Sequence, residues 1–279
     1  MVIKNLRDFG FNTNNRTYII AEIGINHRGD IEVAKQLIDS AVRSGVDAVK
    51  FQTYLTEKRA PKGNKEVFQT LKSLELPFKA FKELKDYTKQ YDVDFFSTPF
   101  DKESVEYLES IDMDIYKIAS FDITNHQLLK EVAKTGKPVI MSVGMSNLDE
   151  IEDAYNILKG GTDSIGILHC ISSYPTMEKD SNLSNIYKIQ EKYDCIVGQS
   201  DHTNDIKVPI YAAAAGAQIL EKHFKIDEEF ECIDSPVSIT ETQMKGLVEE
   251  VRGLEKIFGD ENFGLREAEK GIEIFRRSS

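Results

Sequence analysis

Residues 18–52 read YIIAEIGINHRGDIEVAKQLIDSAVRSGVDAVKFQ and contain one complete strand–helix–strand unit. The run Tyr18–Ile23 is rich in β-branched residues and predicts a buried strand. In Asp30–Arg43 the apolar residues recur every three or four positions, and Asp30 is the expected N-cap of a helix. A second apolar run, Ala48–Phe51, follows after a short turn. The stretch therefore predicts two parallel strands joined by a helical crossover.

The same alternation continues along the chain and gives eight units. The predicted strands are Tyr18–Ile23, Ala48–Phe51, Val93–Phe96, Ile115–Ile118, Pro138–Met141, Ser164–Leu168, Cys195–Val197 and Gln218–Leu220. The predicted helices are Asp30–Arg43, Lys79–Tyr91, Lys102–Ser110, Asn125–Lys134, Asn147–Lys159, Leu183–Tyr193, Asp205–Ala215 and Glu241–Phe258. Eight units within about 250 residues match a closed (β/α)₈ TIM barrel. An open doubly wound sheet is the alternative, although no G-x-G-x-x-G motif opens any predicted helix.

Two segments lie outside this alternation. Residues 1–17 are predicted to form a leader or cap, and the barrel domain is predicted over 18–279. Residues 54–78 form an enlarged loop after the second strand, with a short predicted helix at Glu66–Leu74. We interpret the basic cluster of this loop as a solvated surface, with a lid over an anionic ligand as the alternative. That cluster consists of Lys58, Arg59, Lys62 and Lys65.

Composition excludes several classes of protein. The chain has 35 Lys and Arg against 47 Asp and Glu, a net charge of −12, which argues against nucleic acid or an acidic membrane as a partner. The first ten residues lack the features of a signal peptide, and no apolar run is long enough to cross a bilayer. The three cysteines, Cys170, Cys195 and Cys232, are too scattered for a disulfide framework. We expect a cytoplasmic protein.

Polar side chains occur at or just beyond the end of every predicted strand. They include Glu22, Lys50, Gln52, Ser97, Thr98, Lys117, Ser120, Ser142, His169, Ser172, Ser200, Asp201, His202, Glu221, Lys222 and His223. In a barrel these ends share one face, which is where active sites lie. Lys50 and Lys117 directly adjoin apolar runs, so they either pair with Glu22 or Glu221 or bind an anionic substrate.

Two histidines follow neighbouring strands of the predicted barrel. His202 and His223 can converge on one divalent metal, with Glu22 close by because the first strand closes against the eighth. The alternative is that each histidine is a hydrogen-bonded structural residue. No His–Cys pairing supports Cys170 as a nucleophile. The residues alone therefore indicate an anion-binding and metal-dependent site for carbon chemistry, without naming a substrate.

At these same strand ends the chain resembles the sialic acid synthase family. The matching stretches are YIIAEIGINHRGD (18–30), DAVKFQTY (47–54), FFSTPFD (95–101), YKIAS (116–120), PVIMSVGMS (138–146), LHCISSYPT (168–176), GQSDHT (198–203) and ILEKHF (219–224). They occur in order and cover the chain from about residue 18 onward. Together they are far more specific than any one of them alone.

The resemblance implies a fold, a reaction and a set of site residues. The fold is a TIM barrel followed by a small antifreeze-protein-like domain. The reaction condenses phosphoenolpyruvate with an open-chain N-acylated amino sugar, similar to N-acetylmannosamine, and releases phosphate by C–O cleavage. A divalent cation, Mn²⁺ with Mg²⁺ or Co²⁺ as alternatives, is implied on His202 and His223, with Glu22 near the reacting centre. Phosphoenolpyruvate is implied on Lys50, Thr98, Lys117, Ser120, Ser142 and Ser200. We also assign Gln52, Ser172, Tyr174 and Asp234 to substrate binding.

Some features of the family are not matched. GINHRGD and SSYPT resemble the sialic and legionaminic branch, whereas Asp234-Ser235 is similar to the pseudaminic branch, so we assign no particular sugar. We expect the antifreeze-like domain to be absent from this chain. The resemblance then implies either a homodimer or a separate antifreeze-like chain as partner. The alternative functions are another phosphoenolpyruvate–aldose synthase, similar to Kdo-8-phosphate synthase, and a non-catalytic binding or regulatory barrel.

Overall fold

Eight parallel strands close into a barrel in a computed structural model that describes Leu6, residues 16–259 and residues 263–277. The strands are β1 (Tyr18–Gly24), β2 (Ala48–Thr53), β3 (Asp94–Pro99), β4 (Tyr116–Ile118), β5 (Val139–Ser142), β6 (Ile165–Cys170), β7 (Ile196–Asp201) and β8 (Ile219–His223). Each pairs with its neighbour in sequence, and β1 also pairs with β8. The predicted TIM barrel is therefore confirmed, and the open sheet is wrong.

Helices surround the barrel. They are α1 (Ile31–Ser44), α2 (Thr56–Arg59), α3 (Lys65–Leu74), α4 (Phe78–Thr88), α5 (Lys102–Ser110), α6 (His126–Ala133), α7 (Leu148–Lys159), α8 (Ser184–Lys192), α9 (Lys207–Ala214) and α10 (Glu241–Phe258). Asp30 caps α1 as predicted, because its side chain accepts hydrogen bonds from the amides of Glu32 and Val33. Gly45 ends that helix in the left-handed conformation, at φ 83°.

Several strands extend further than the sequence predicts. The apolar runs end at Val197 and Leu220, but β7 continues to Asp201 and β8 to His223. Charged and polar residues interrupt the hydrophobic pattern there, which is why those boundaries were wrong. All residues of both strands are buried, so these polar ends lie inside the molecule. Three of these extra residues, Ser200, Glu221 and His223, line the cavity described below.

The loop after β2 contains two helices instead of the single predicted one. The predicted Glu66–Leu74 corresponds to α3, whereas α2 has no hydrophobic periodicity because it spans only four residues. Two contacts hold the loop on the barrel. The Tyr54 hydroxyl donates to the Leu71 carbonyl at 2.9 Å, and the Thr56 amide donates to Glu75 at 2.9 Å.

Leu6 and a group of ion pairs lie at the opposite, N-terminal end of the barrel. Leu6 belongs to the hydrophobic core, and its amide donates to the Ser164 hydroxyl at 2.7 Å. Arg16 and Arg252 both pair with Asp47. Apart from Leu6, Arg16 and Thr17, the predicted leader at 1–17 lies outside the described residues, and so do 260–262 and 278–279 of the predicted domain. No helix in the described ranges is long and apolar enough to span a membrane.

Candidate active site

A cavity of about 150 Å³ opens at the carboxyl ends of the barrel strands. All predicted site residues except Ser172 line it. The residues brought together are Glu22, Lys50, Gln52, Thr98, Lys117, Ser120, Ser142, Tyr174, Ser200, His202, His223 and Asp234. Ser172 lies against Gly144, where an added Cβ would approach its hydroxyl to 2.3 Å, and it is not part of the lining.

Strand register explains why these side chains meet. Glu22 on β1 lies opposite Lys50 on β2 and opposite His223 on β8. Ser200 on β7 lies opposite Glu221 on β8. Glu221 and His223 are two residues apart on one strand, so they share a face. This spacing is the signal that could have added Glu221 to the predicted site residues, where it had been weighed only as an ion-pair partner.

Lys50 lies between two buried carboxylates. Its Nζ is 2.8 Å from Glu22 Oε2 and 3.6 Å from Glu221 Oε2, and it donates to the Thr98 hydroxyl at 3.0 Å. Burial alone would lower the pKa of Lys50, but the two carboxylates outweigh it and raise that pKa. Lys50 is therefore a charged and fully oriented donor inside the cavity.

Lys117 approaches Glu221 from the other side. Its Nζ is 3.6 Å from Glu221 Oε1 and donates to the Ser142 hydroxyl at 2.6 Å. Burial lowers the pKa of Lys117, with Glu221 opposing it. Burial would raise the pKa of Glu221, but Lys117, Lys50 and the Ser200 hydroxyl hold it well below its usual range. Both readings of the lysines are compatible with this geometry: they are ion-paired, and they face a cavity.

The two histidines adjoin this charged layer. The ring centroids of His202 and His223 are 5.4 Å apart, and Asp234 Oδ2 lies 3.4 Å from His223 Nδ1. His202 Nδ1 is 2.8 Å from the Ile171 carbonyl, which can only accept. Nδ1 therefore carries the proton, and Nε2 keeps the lone pair that a metal would need. Tyr174 packs on His202 with a centroid distance of 4.2 Å.

The donor set fits a metal site that protein ligands fill only in part. Within the described ranges, no group of three or more His, Cys, Asp and Glu side chains is arranged to hold a metal ion. Two imidazoles would therefore supply part of the coordination shell, and substrate or water oxygens would supply the rest. Open positions of this kind are what a catalytic metal needs, in contrast to a closed structural site.

Arg59 is the largest departure from the predicted site. It belongs to the basic cluster interpreted as a solvated loop, yet it lines the cavity. Its Nη2 donates to Gln52 Oε1 at 2.8 Å, and Gln52 Nε2 donates to Glu22 Oε1 at 2.9 Å. The solvated interpretation is wrong for Arg59, whereas the other three members of the cluster are exposed. The exposed members are Lys58, Lys62 and Lys65. No periodicity in the sequence distinguishes Arg59 from them.

Comparison with known proteins agrees with the geometry. The NeuB family model matches residues 37–263. The chain belongs to the NeuB family. The N,N'-diacetyllegionaminic acid synthase of Campylobacter jejuni is 39% identical over 94% of this chain and 84% of its own length. The pseudaminic acid synthase of that species is 33% identical, over 96% and 82%.

A solved structure extends the match of this NeuB-family chain to three dimensions. The N-acetylneuraminic acid synthetase of Leptospira borgpetersenii, determined with citrate, has a TM-score of 0.90 at 39% identity. The match covers 94% of this chain and 92% of that one. The resemblance based on the strand-end motifs is therefore confirmed. The curated relatives include both legionaminic and pseudaminic acid synthases, the two branches that the motifs of this chain resemble.

Proposed function

We propose that this NeuB-family protein condenses phosphoenolpyruvate with an open-chain N-acylated amino sugar to form a nonulosonic acid and inorganic phosphate. The observation that carries the proposal is the buried layer in which Lys50 and Lys117 flank Glu221, beside the pair His202 and His223. The activities named for its relatives support the same reaction.

Phosphoenolpyruvate takes the lysine side of the cavity. Its phosphate and carboxylate accept hydrogen bonds from the two lysines and from the hydroxyls of Thr98, Ser120 and Ser142, as charge-assisted donors favour. The Ser200 hydroxyl donates to Glu221 at 2.8 Å in the free protein, so it joins these donors only if it turns from Glu221 to the ligand. Glu22 and Glu221 keep Lys50 oriented before any substrate arrives. Donors fixed in this way stabilise developing charge without reorganising during the reaction.

His202 and His223 would hold a divalent cation, Mn²⁺ in the first instance, with Mg²⁺ or Co²⁺ as alternatives. Such an ion supplies Lewis acidity toward the sugar aldehyde oxygen. Asp234 Oδ2 lies 3.4 Å from His223 Nδ1, an ion-pair contact that would favour one orientation of that ring. Carboxylate–imidazole contacts commonly orient metal-binding histidines.

The condensation joins two carbons and replaces the phosphate on C2 by an oxygen from water. C3 of phosphoenolpyruvate bonds to the aldehyde carbon as the C2–C3 and aldehyde C–O double bonds become single bonds, and the aldehyde oxygen takes up a proton. A water oxygen bonds to C2 and loses one proton. The C2–O bond to phosphate then breaks, and the hydroxyl left on C2 loses its proton to become the ketone as inorganic phosphate leaves. Glu22 is our candidate to orient that water or accept its proton, because Lys50 and Gln52 hold its carboxylate from two sides.

The acceptor sugar takes the outer part of the cavity. Gln52, Tyr174 and Asp234 line this part, with Ser172 on the adjoining loop. That the catalytic unit is a homodimer, or needs a separate antifreeze-like chain, stays a prediction that sedimentation of the purified protein would test.

Phosphate release from phosphoenolpyruvate with Mn²⁺ tests the proposal. N-acetylmannosamine and diacetylated aldohexoses are offered in turn, beside phosphorylated sugars. We expect chelator-sensitive release with one unphosphorylated N-acyl sugar. Release only with phosphorylated aldoses would instead favour the Kdo-8-phosphate synthase-like alternative. Calorimetric binding of phosphoenolpyruvate without release from any acceptor would point to a need for a separate antifreeze-like chain. Neither binding nor release would favour the non-catalytic barrel.

A matched pair of lysine variants locates the phosphoenolpyruvate site. Lys117→Met is expected to raise KM for phosphoenolpyruvate by at least about tenfold, because it removes a charged donor. Lys137→Met is the control, since Lys137 is also buried and ion-paired, with Glu109 at 2.6 Å, but precedes β5 at the opposite end of the barrel. Equal effects of the two substitutions on that KM would contradict the assignment.

A further inference from the structure

The guanidinium of Arg59 has one nitrogen that the described protein does not satisfy. Arg59 lies at the end of α2, and its Cζ lies 3.9 Å from the ring centroid of Phe100 and 4.5 Å from that of Tyr54. Nη2 donates to Gln52, whereas Nη1 is buried with no hydrogen-bond partner among the described residues. No carboxylate in the described ranges lies within ion-pair distance of it. A buried donor without an acceptor is costly unless a ligand supplies one.

The direction of this nitrogen is set by a rigid support. The Leu55 amide donates to Asp101 Oδ2 at 2.8 Å, and the Thr56 amide donates to Glu75 at 2.9 Å. Tyr54, one of the two aromatic rings beside Arg59, is itself buried. Contacts with these two rings and the hydrogen bond to Gln52 therefore hold the guanidinium in place. Little conformational freedom remains to be lost when a ligand binds.

The position of Arg59 along the barrel indicates which substrate it meets. Gln52 follows Lys50 by two residues on β2, so both face the barrel interior and Gln52 lies about 6.6 Å nearer the mouth. Arg59 bonds to Gln52 and thus lies beyond the Lys50 layer that holds phosphoenolpyruvate. It is on the side of the acceptor sugar.

The surroundings indicate the chemistry of the group that Arg59 meets. Phe100 and Phe121 are apolar members of the same cavity lining. Apart from the two histidines, the charged lining residues already balance, because three cations face three carboxylates. They are Lys50, Lys117 and Arg59, with Glu22, Glu221 and Asp234. A neutral oxygen acceptor joined to a small apolar group fits this combination better than a further anion does. An N-acyl substituent has both parts.

We infer that Arg59 Nη1 donates to the carbonyl oxygen of the acceptor's N-acyl group, and that Arg59 is the residue by which the site selects acylated sugars. The inference rests on the proposed function. It adds Arg59 to the residues that contact the acceptor sugar. Binding of an acylated sugar satisfies the open donor, whereas a sugar without the acyl group leaves it unpaired, and such mismatches discriminate strongly.

Steady-state kinetics of Arg59→Met test the inference. The acceptors are the panel sugar with the fastest release, N-acetylmannosamine in the first instance, and the analogue with a hydroxyl in place of the acylamino group, here mannose. We expect KM for the acylated sugar to rise about 10- to 100-fold, as for loss of a hydrogen bond to a charged group. KM for phosphoenolpyruvate and the rate with mannose should change less than about twofold.

Two further variants separate this contact from general charge and folding effects. Lys58→Met removes a charge from the adjacent position, where an exposed lysine pairs with Glu103 at 3.2 Å, and should leave both KM values unchanged. Arg59→Lys keeps the charge without the planar fork and should give an intermediate KM for the acylated sugar. An unchanged KM for phosphoenolpyruvate shows that the variants are folded.

The outcomes distinguish this inference from the proposed function. An active wild-type protein whose acceptor KM does not change in Arg59→Met overturns the role of Arg59 alone. The role of Arg59 is also overturned if Arg59→Met loses the same fraction of its rate with N-acetylmannosamine as with mannose, or if only KM for phosphoenolpyruvate changes. If the wild-type protein releases no phosphate with any of the acceptors, the proposed function is overturned, and this inference with it.

Discussion

Substitution of Glu221 by glutamine removes the charge that two buried lysines share. The amide keeps the volume of the side chain and its bond with the Ser200 hydroxyl, which is 2.8 Å away. Lys50 keeps Glu22 at 2.8 Å, but Lys117 retains only the Ser142 hydroxyl and the Ile118 carbonyl. E221Q therefore leaves Lys117 as a buried cation without a carboxylate partner.

The distances set the size of the effect. At 3.6 Å and an effective dielectric constant of about 20, each ion pair of Glu221 has a gross attraction of about 5 kcal/mol. Two effects offset much of the lost attraction: the variant no longer has to bury a charged carboxylate, and Lys117 can lose its proton. We expect the free energy of unfolding to fall by about 3–5 kcal/mol, the range for breaking one side of a buried pair. Guanidinium titration followed by circular dichroism measures it.

Phosphoenolpyruvate should reverse part of this loss. Its phosphate brings negative charge to the same lysines, so the variant gains more from the ligand than the wild type does. The control is Glu228→Gln, because Glu228 is 73% exposed in its pair with Lys225 and should contribute less than about 1 kcal/mol. An E221Q protein as stable as the control, or one whose deficit is the same with saturating phosphoenolpyruvate, would refute the reasoning.

Three further predictions concern other parts of the site and its support. Burial lowers the pKa of His27 to about 4 from 6.5, so the unfolded state binds the proton first as pH falls. The free energy of unfolding should therefore decrease by about 2 kcal/mol from pH 7 to pH 5. Guanidinium titrations of His27→Gln should lack this dependence on pH, and an unchanged dependence in the variant would contradict the prediction. His223→Ala should abolish calorimetric Mn²⁺ binding and phosphate release, whereas His126→Ala, at an exposed helix start, should keep both; Mn²⁺ binding retained in His223→Ala removes the metal assignment. Asn26→Ala deletes the side-chain oxygen that accepts a hydrogen bond from the Asp234 amide at 3.1 Å. It should raise KM for the acceptor sugar several-fold while KM for phosphoenolpyruvate stays constant. The reverse pattern would show that Asn26 does not position Asp234.

Much of the barrel could be predicted because its signal is local. Apolar strands and amphipathic helices each show their periodicity within about ten residues, as the cap of Asp30 on α1 shows. Strand ends were predicted less well for the same reason. Residues 198–201 of β7 include polar side chains that interrupt the hydrophobic pattern, yet neighbouring strands bury them. The hydrophobic pattern ends where the functional part of the strand begins.

The site residues also divide into those that the sequence predicts and one that it does not. Glu22, Lys50 and His223 follow from strand order, because the carboxyl ends of parallel strands meet on one face whatever the loops do. Arg59 does not follow, since its place depends on a four-residue helix and on stacking against Phe100, a residue 41 positions away in the sequence. Contacts of this kind leave no periodicity, so nothing in the sequence separates Arg59 from the three lysines of its cluster, which are exposed.

The lysines show why the two interpretations of a buried charge need not compete. Lys50 and Lys117 are paired with Glu22 and Glu221, and the cost of removing their charges from water is met when the protein folds. A substrate anion then meets lysine ammonium groups that are already dehydrated and oriented by these carboxylates. Donors prepared in this way favour strong electrostatic stabilisation during the reaction. Removal of Glu221 should therefore weaken the free protein more than its complex with phosphoenolpyruvate, and that difference measures how far the folded state has been prepared for its anionic substrate.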